Sequence, residues 1–251
     1  MQFFAFLGEV CMMKYLILVL LITVSCSDDK LTDVSSLENF LVDETVEIDN
    51  VIACAANSAE AGYVDVFFYP RTNATDFRLF ETNDLTANKN DFSSYTEHIF
   101  PIHDVFNGYL KRFQADAEQE KWMIIAFREN GKIHISNPIR LKHKSKPTEV
   151  KNTVTVDKTT PNMPAFSWED GIYDDTAIYF QVITDANNNL LSGTYTYEKM
   201  FQYYNLDNVV LNVTRDTPPS LIGSTTYGFT LMAVSEDNWV NLLASFNFTS
   251  N

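Results

Sequence analysis

The sequence predicts an all-β protein in which two tandem β-sandwiches follow an N-terminal export signal and a short tether. Aromatic residues make up 14% of the 251 residues, including 19 Phe and 12 Tyr, and such side chains favour the pleated, half-buried surface of a sheet. Short alternating or apolar runs are separated by turn residues roughly every 8 to 15 positions, a spacing typical of sandwiches. A charged break at 143–150, which contains Pro147, divides the chain into two such regions.

The first element is the export signal. Lys14 supplies a positive charge, Tyr15 to Val24 form an apolar run, and the small residue Ser25 precedes Cys26. The run is about half of the roughly 20 apolar residues that a membrane-spanning helix needs, so a signal peptide is favoured over a transmembrane segment. Because the Phe-rich stretch from Met1 to Met12, which contains Glu9, suits no such signal, we expect translation to start at Met13 or Met12.

The residues around the cysteine, Thr23-Val24-Ser25-Cys26, resemble the bacterial lipobox. The resemblance implies a signal peptide at 1–25, cleavage before Cys26, and lipidation of that thiol with acyl chains such as palmitate. Each buried methylene contributes about 0.8 kcal/mol, so two or three chains would hold the protein on the bilayer essentially permanently. Thr23 departs from the family pattern, which usually has Leu or another aliphatic residue there.

The next segment, 26–42, is polar and acidic and is expected to be a flexible tether. Its start, Ser27-Asp28-Asp29-Lys30, resembles the acidic stretch after the lipid cysteine of Bacteroidota lipoproteins that are sent to the cell surface. The resemblance implies an outer-membrane lipoprotein whose domains face outward. A short polar spacer on a periplasm-facing anchor stays open as the alternative.

Charge and cysteine usage exclude several classes of protein. The net charge of −15 argues against a nucleic-acid partner, because phosphate binding depends on Lys and Arg, and it disfavours polyanionic glycans unless a local basic patch makes the contact. Arg140, Lys142, Lys144 and Lys146 form the one such run, interpreted here as solvated residues on an edge strand and linker. With Cys26 lipidated, Cys54 is the only thiol of the mature chain, so no intramolecular disulfide can form.

In the first region, predicted at 43–146, alternation and apolar runs indicate several strands. Val64 to Tyr69, Asp76 to Thr82 and Trp122 to Phe127 read as strands, and Asn130-Gly131 after the last of them indicates a hairpin. Two short stretches, Asp104 to Phe113 and Tyr197 to Tyr204, are the plausible helices.

The second region, predicted at 151–251, carries three strand patterns: Pro164 to Trp168, Ala177 to Val182, and Thr226 to Val234. They resemble the B, C and F strands of a fibronectin type III domain, including its core Trp and its alternating Tyr-x-apolar-x-apolar-x-Ala strand. The resemblance implies an immunoglobulin-like sandwich here. The first region is a weaker match, carried by 73–80 and 122–127, and is expected to be a divergent sandwich.

Candidate sites are few. Glu97-His98 and His103-Asp104 have no spacing typical of a metal site, and no metal or other cofactor is predicted. The acidic residues from Glu169 to Asp175 cluster in one loop that leaves calcium binding open. Asp175-Thr176-Ala177 resembles the Bacteroidota O-glycosylation acceptor, which implies modification of Thr176.

Four tyrosines could form a sugar-stacking surface, although packing within a sheet explains them equally well: Tyr195, Tyr197, Tyr203 and Tyr204. No Gly-x-Ser-x-Gly motif occurs, and four histidines leave few catalytic bases, so an enzyme is disfavoured. We therefore expect a non-catalytic binding or adhesion module with an unknown protein or glycan ligand. An accessory subunit of an outer-membrane uptake or assembly complex is the alternative.

Overall fold

The computed structural model describes residues 36–251, and their structure is nearly all β. One short helix, α1 (Leu37–Leu41), and a 3-10 turn at Phe92–Ser94 accompany the strands β1 to β19. The all-β prediction, with its sandwich-like sheets, is confirmed. The signal peptide, Cys26 and most of the predicted tether lie outside the described residues.

The strands form four sheets, two from each half of the chain. Sheet 1 has the order β1-β9-β8-β4-β5, with β10 also on β8, and sheet 2 the order β2-β3-β7-β6. Their bounds are β1 Val46–Val51, β2 Ala53–Asn57, β3 Tyr63–Phe68, β4 Thr75–Glu81, β5 Thr96–His98, β6 Ile102–Val105, β7 Leu110–Asp116, β8 Trp122–Glu129, β9 Lys132–Ser136 and β10 Ile139–Arg140. We call residues 36–146 the N-terminal half.

The C-terminal half, 149–251, contains the other two sheets. Sheet 3 has the order β11-β19-β18-β14-β15-β17, and sheet 4 the order β12-β13-β16. Their bounds are β11 Glu149–Val150, β12 Val154–Asp157, β13 Ala165–Trp168, β14 Thr176–Thr184, β15 Leu190–Thr196, β16 Met200–Gln202, β17 Val209–Asn212, β18 Thr226–Ser235 and β19 Val240–Thr249. The strands predicted from the fibronectin-like patterns correspond to β13, β14 and β18.

The four sheets stack face to face in numerical order. Successive side chains of a strand point to opposite faces, so an inner sheet contributes side chains to two cores. In β18, Phe229 and Leu231 pack into the core between sheets 3 and 4, whereas Met232 and Val234 face sheet 2. In β3, Val66 packs against sheet 1. Sheets 2 and 3 therefore share an apolar core that joins the two halves, and the described residues all belong to one compact unit.

The outer face of sheet 1 is covered by α1, which corrects the predicted tether. Ser36 caps the helix by accepting a hydrogen bond from the Asn39 amide at 3.2 Å, and Leu37 and Phe40 are buried against Phe80 of the sheet. The chain is thus packed, not flexible, well before residue 42. None of the helices found in the described range, 36–251, is long and apolar enough to cross a membrane.

The two predicted helices are wrong. The stretch at 104–113 runs through β6 and β7, which are joined by a turn in which Phe106, Asn107 and Gly108 have positive φ. The stretch at 197–204 contains β16. The Asn130-Gly131 hairpin between β8 and β9 is confirmed, and both residues have the positive φ that a two-residue turn of this type requires.

A tryptophan from the C-terminal half completes the core of the N-terminal half. Trp239 follows the turn between β18 and β19, yet its side chain is fully buried among Val66, Met123 and Leu141. Its indole N–H donates to the Lys146 carbonyl at 2.8 Å. The turn is fixed to β2 by the Ala55 amide, which donates to the Asn238 carbonyl at 2.9 Å.

A second contact between the halves lies near residue 215. The Tyr109 hydroxyl donates to the Val213 carbonyl at 2.8 Å and accepts from the Arg215 amide at 2.5 Å. The Arg215 guanidinium lies 4.4 Å from the centre of the Tyr109 ring and donates to the Pro70 carbonyl at 3.1 Å. This Arg215 latch is polar and partly exposed, unlike the buried Trp239.

Candidate binding cleft at the junction of the halves

A cavity opens beside the Trp239 turn, where the two halves meet. This junction cleft has a volume of about 680 Å³, within the range typical of small-ligand sites. Its lining combines residues from both halves: Lys89, Arg140, Lys142, Asp175, Thr176, Ala177, Ser235, Glu236 and Asp237.

A β-bulge positions one wall of the junction cleft. In the pairing of β14 with β18, Thr176 lies opposite Ser235 and Ile178 opposite Val234, which leaves Ala177 as an extra, unpaired residue. A bulge of this kind bends the strand and changes the direction of its side chains. Ala177 therefore lines the cleft with a small side chain that leaves space open.

Lys142 lies between two carboxylates of the C-terminal half. Its Nζ is 2.8 Å from Asp237 Oδ1 and 3.7 Å from Asp175 Oδ2, and the residue is only 7% exposed. Lys146 forms an ion pair with the same Asp175. Lys142 and Lys146 of the basic run are thus partners of Asp175 from the acidic loop.

These contacts lower the pKa of Asp175. Burial opposes ionisation of this carboxyl, but hydrogen bonds from Lys146 and Asn241 and the charges of both lysines outweigh it, so its pKa lies below the usual value. The carboxylate consequently stays charged at neutral pH and holds the two halves together at the cleft.

The other two cations of the cleft are not neutralised in this way. Lys89 Nζ and Arg140 Cζ lie 5.4 Å and 6.0 Å from the centre of the Trp122 ring. Arg140 Nη1 is 4.0 Å from Asp237, at the limit of an ion pair, and its Nε is buried with no hydrogen-bond partner in the described chain. Lys89 and Glu236 form no ion pair within residues 36–251.

The structure does not assemble a metal site from the predicted ligands. His98 is on β5 in sheet 1 and pairs with Leu79, whereas His103 is on β6 in sheet 2 and pairs with Arg112. In the acidic loop, Asp170 accepts hydrogen bonds from Tyr179 and lies 2.5 Å from Lys199 Nζ. No group of three or more potential metal ligands occurs among residues 36–251.

The four tyrosines do not share one surface. Tyr195 stacks on Phe180 at 4.4 Å within the core between sheets 2 and 3, and Tyr203 is fully buried, with its hydroxyl donating to the Pro219 carbonyl. Tyr197 and Tyr204 are exposed. The four tyrosines therefore do not form one sugar-stacking surface.

Two further predicted residues have defined surroundings. Thr176 begins β14 at the cleft, where its half-buried hydroxyl accepts a hydrogen bond from Asn241 at 3.3 Å, and its O-glycosylation stays a prediction. Cys54 lies on β2 at the contact between sheets 2 and 3, where burial raises its pKa to about 12. Its thiol is thus neutral, as expected for a packed residue.

Sequence reasoning missed Lys89, Trp122 and Asp237 as parts of the cleft. Lys89 belongs to the segment 83–101, which matched no strand pattern, and Tyr95 from the same segment fixes it by donating to the Lys89 carbonyl at 2.8 Å. Trp122 was predicted as the first residue of a strand and was not singled out as a site residue. Their positions in the cleft depend on how the halves stack, for which the sequence carries no local signal.

Comparison with known proteins identifies solved structures only: neither a family model nor a curated protein matches the chain. The fibronectin domains FN1–FN3 of chicken CNTN1 are 9% identical, with 83% of this chain and 68% of that chain covered and a TM-score of 0.30. A segment of two fibronectin type III domains from chicken tenascin is 13% identical, with 80% and 100% covered and a TM-score of 0.32. A cytokine receptor complex is 13% identical, with 80% and 96% covered and a TM-score of 0.29.

Proposed function

We propose that this protein is a membrane-anchored, surface-exposed lipoprotein that binds a ligand, without catalysis, in the junction cleft. One observation carries the proposal: the cleft brings together charged groups from both halves and leaves some of them without a protein partner. The halves cannot easily separate there, because Trp239 and Lys142 join them at the cleft. The cleft is therefore preformed, which reduces the entropic cost of binding.

The chemistry of the lining favours recognition over catalysis. Of the described residues that line the cleft, none is a histidine or a cysteine. The Ser235 hydroxyl donates to Asp237 at 2.7 Å and lies 3.0 Å from the Trp239 carbonyl. The Asp237 carboxylate is itself held in an ion pair with Lys142, and the described lining places no histidine beside this hydroxyl. The remaining groups form hydrogen bonds and ion pairs with a ligand.

The proposed anchor is a lipid on Cys26, supported by the lipobox-like sequence. Because α1 begins at Leu37 and packs on sheet 1, the connection to the membrane is shorter than the 26–42 tether suggested. Residues 27–35 would span about 30 Å at full extension. The junction cleft would then lie within tens of ångströms of the bilayer surface.

Anchoring is tested by metabolic labelling with palmitate and by protease treatment of intact cells. We expect label in the natural protein and none after Cys26→Ala. Digestion of the domains in intact cells is expected, with lysed cells as the control for protease activity. Survival of the domains until lysis would reject surface exposure and favour a periplasmic location.

Binding in the cleft is tested with soluble residues 27–251 on glycan and peptide arrays. Ala177→Trp fills the cleft without changing its charge and, at an unpaired bulge position, disturbs no ladder hydrogen bond. We expect it to abolish binding, whereas Ile222→Trp, at a residue that is 69% exposed elsewhere, leaves binding unchanged. A ligand bound equally by both variants would show that the cleft is not the site.

A second candidate function, an accessory subunit that binds a protein partner, is favoured by one exposed apolar segment. Between residues 197 and 211, several large apolar side chains are exposed, and β17 is an edge strand of sheet 3. Those side chains are Tyr197, Met200, Tyr204, Leu206, Val210 and Leu211. If this function is right, Tyr197→Glu removes co-purification with an envelope complex, and Ala177→Trp does not.

A further inference from the structure

We infer that the junction cleft binds a saccharide that carries a single carboxylate, and that Arg140 and Lys89 hold this carboxylate. The inference rests on the proposed function, since it names the ligand class of the same site. It is argued from the hydrogen-bonding capacity that the protein leaves unused, from the local charge balance, and from the polarity of the lining.

The first argument is the unfilled hydrogen-bonding capacity of Arg140. A guanidinium offers five N–H donors in a planar fork that matches a carboxylate. Arg140 Nε is buried without an acceptor, and Nη1 reaches Asp237 only at 4.0 Å. The rest of the guanidinium is accessible, since the side chain is 41% exposed, and a ligand carboxylate in the cleft would supply it with acceptors.

The second argument is the local charge balance. Lys142 and Lys146 are matched by Asp175 and Asp237 in close ion pairs. Those four charges cancel. Of the other lining residues, Arg140 and Lys89 are positively charged and the exposed Glu236 is negatively charged. The lining as a whole carries three cations and three carboxylates, but within residues 36–251 Arg140 and Lys89 are its two cations without a close carboxylate partner.

The acidic protein limits the ligand to one negative charge. A net charge of −15 repels extended polyanions, since several of their charges would lie within the roughly 8 Å over which charges interact at physiological salt. A single carboxylate on an otherwise neutral molecule gains the local attraction of Arg140 and Lys89 and largely avoids this repulsion.

The third argument concerns the rest of the ligand. Most of the lining is polar, and two groups have spare hydrogen-bonding capacity. The Thr176 hydroxyl accepts from Asn241 and donates to no described group, while the Glu236 carboxylate is free to accept. A polyhydroxylated molecule matches such alternating donors and acceptors, whereas an apolar ligand would leave them unpaired. A cleft of about 680 Å³ has room for a small saccharide.

The experiment is isothermal titration of the soluble protein with galacturonic acid, glucuronic acid and N-acetylneuraminic acid. Each acid is compared with its methyl ester, with a neutral sugar, and with acetate as a bare carboxylate. We expect at least one acid to bind, and its methyl ester to bind at least about tenfold more weakly, because a hydrogen bond to a charged group is lost. Trp122 emission gives a second readout beside the two cations.

Variants identify the residues. Arg140→Gln and Lys89→Gln are each expected to weaken binding of the acid about tenfold, and Arg140→Lys less, because it keeps the charge and loses the fork. Lys151→Gln, at a side chain that is 61% exposed in a different part of the surface, is the matched control and leaves affinity unchanged. The thermal midpoint of every variant verifies that it is folded.

Two outcomes overturn the inference while the proposed function survives. In the first, an ester or a neutral sugar binds as tightly as the acid and is blocked by Ala177→Trp. In the second, acetate binds as tightly as the sugar acid. Failure of every sugar acid in the natural protein also overturns it. The proposed function fails separately, if array screening finds no ligand that Ala177→Trp excludes.

Discussion

The two halves differ in how they complete their cores. The core between sheets 3 and 4 is built from residues of the C-terminal half alone. The core between sheets 1 and 2 contains Trp239, which arrives from the other half of the chain. The strands before and after 143–150 belong to different pairs of sheets, but the two halves do not have independently completed cores.

The first way to break the comparison is to remove the shared tryptophan. Trp239→Ala is expected to destabilise the protein by about 3–5 kcal/mol, because the large cavity forms in a fully packed core. Urea unfolding measures the loss. Hydrogen exchange should show reduced protection of β3 and β8 in the N-terminal half, although the substitution lies in the C-terminal half.

Tyr197→Ala is the matched control, since this aromatic side chain is 67% exposed and should cost less than about 0.5 kcal/mol. If Trp239→Ala lowered protection only in sheets 3 and 4, the dependence of the N-terminal half on Trp239 would be disproved.

The second prediction concerns the ion pairs at the junction cleft. Lys142→Met leaves Asp237 and Asp175 without their shared cation, and we expect a loss of about 1–3 kcal/mol. The value is below that of a fully buried pair, because the Asp175 side chain is 45% exposed and solvent screens it. Urea unfolding of Lys151→Met provides the baseline, and an equal effect of both changes would contradict a joining role for Lys142.

The third prediction tests the Arg215 latch. Arg215→Ala removes the guanidinium from the Tyr109 ring and from the Pro70 carbonyl, and we expect a loss of about 1 kcal/mol, the size of one partly exposed cation–π contact with its hydrogen bond. Thermal unfolding measures it. A loss as large as that of Trp239→Ala would reverse the assigned ranking of the two contacts between the halves.

The fourth and smallest expected effect is a pH dependence of stability. It distinguishes the two halves, because all four histidines lie before residue 147. Burial lowers the pKa of His143; Glu120 opposes the shift, whereas Lys144 and Lys121 add to it. Burial, followed by the charge of Arg71, also lowers the pKa of His134. In both cases the unfolded state binds protons more readily, so stability is present above about pH 6.5 and falls as the pH drops below it.

Urea unfolding between pH 7.5 and pH 5 measures this slope. We expect His143→Phe to reduce it, since both nitrogens of this buried ring lack hydrogen-bond partners in the described chain, and an apolar ring can take its place. An unchanged slope in the variant would mean that His143 does not contribute to the acid sensitivity.

Local patterns predicted much of the fold. Alternation identified β4 and β18, the apolar run identified β8, and Asn130-Gly131 identified a hairpin, because each signal is contained in a few neighbouring residues. The prediction failed at 104–113 although Asn107-Gly108 carries the same turn signal as Asn130-Gly131. Positive φ at Phe106, Asn107 and Gly108 forms the tight turn there. The patterns also failed at Leu37 and Phe40, whose burial depends on a distant sheet.

The junction cleft was predictable only in its parts. Arg140, Lys142 and Asp175 were each noticed, the first two as solvated edge residues and the third as a calcium candidate. Their pairing across 33 or more positions arises from the way the two halves pack together, and only the structure supplies that geometry. Period-2 apolar residues on both faces of β14 and β18 were the available signal that sheet 3 is covered on both sides.

The burial of Trp239 also bears on the order in which the protein folds. A chain grows from its N-terminus, so the strands of sheets 1 and 2 exist long before residue 239 is present. Until then the N-terminal half has an incomplete core and exposes apolar surface, a condition that favours misassembly. Its final packing must wait for a contact of very long sequence separation, which slows folding, and a hairpin near the end of the chain thus determines when the beginning becomes native.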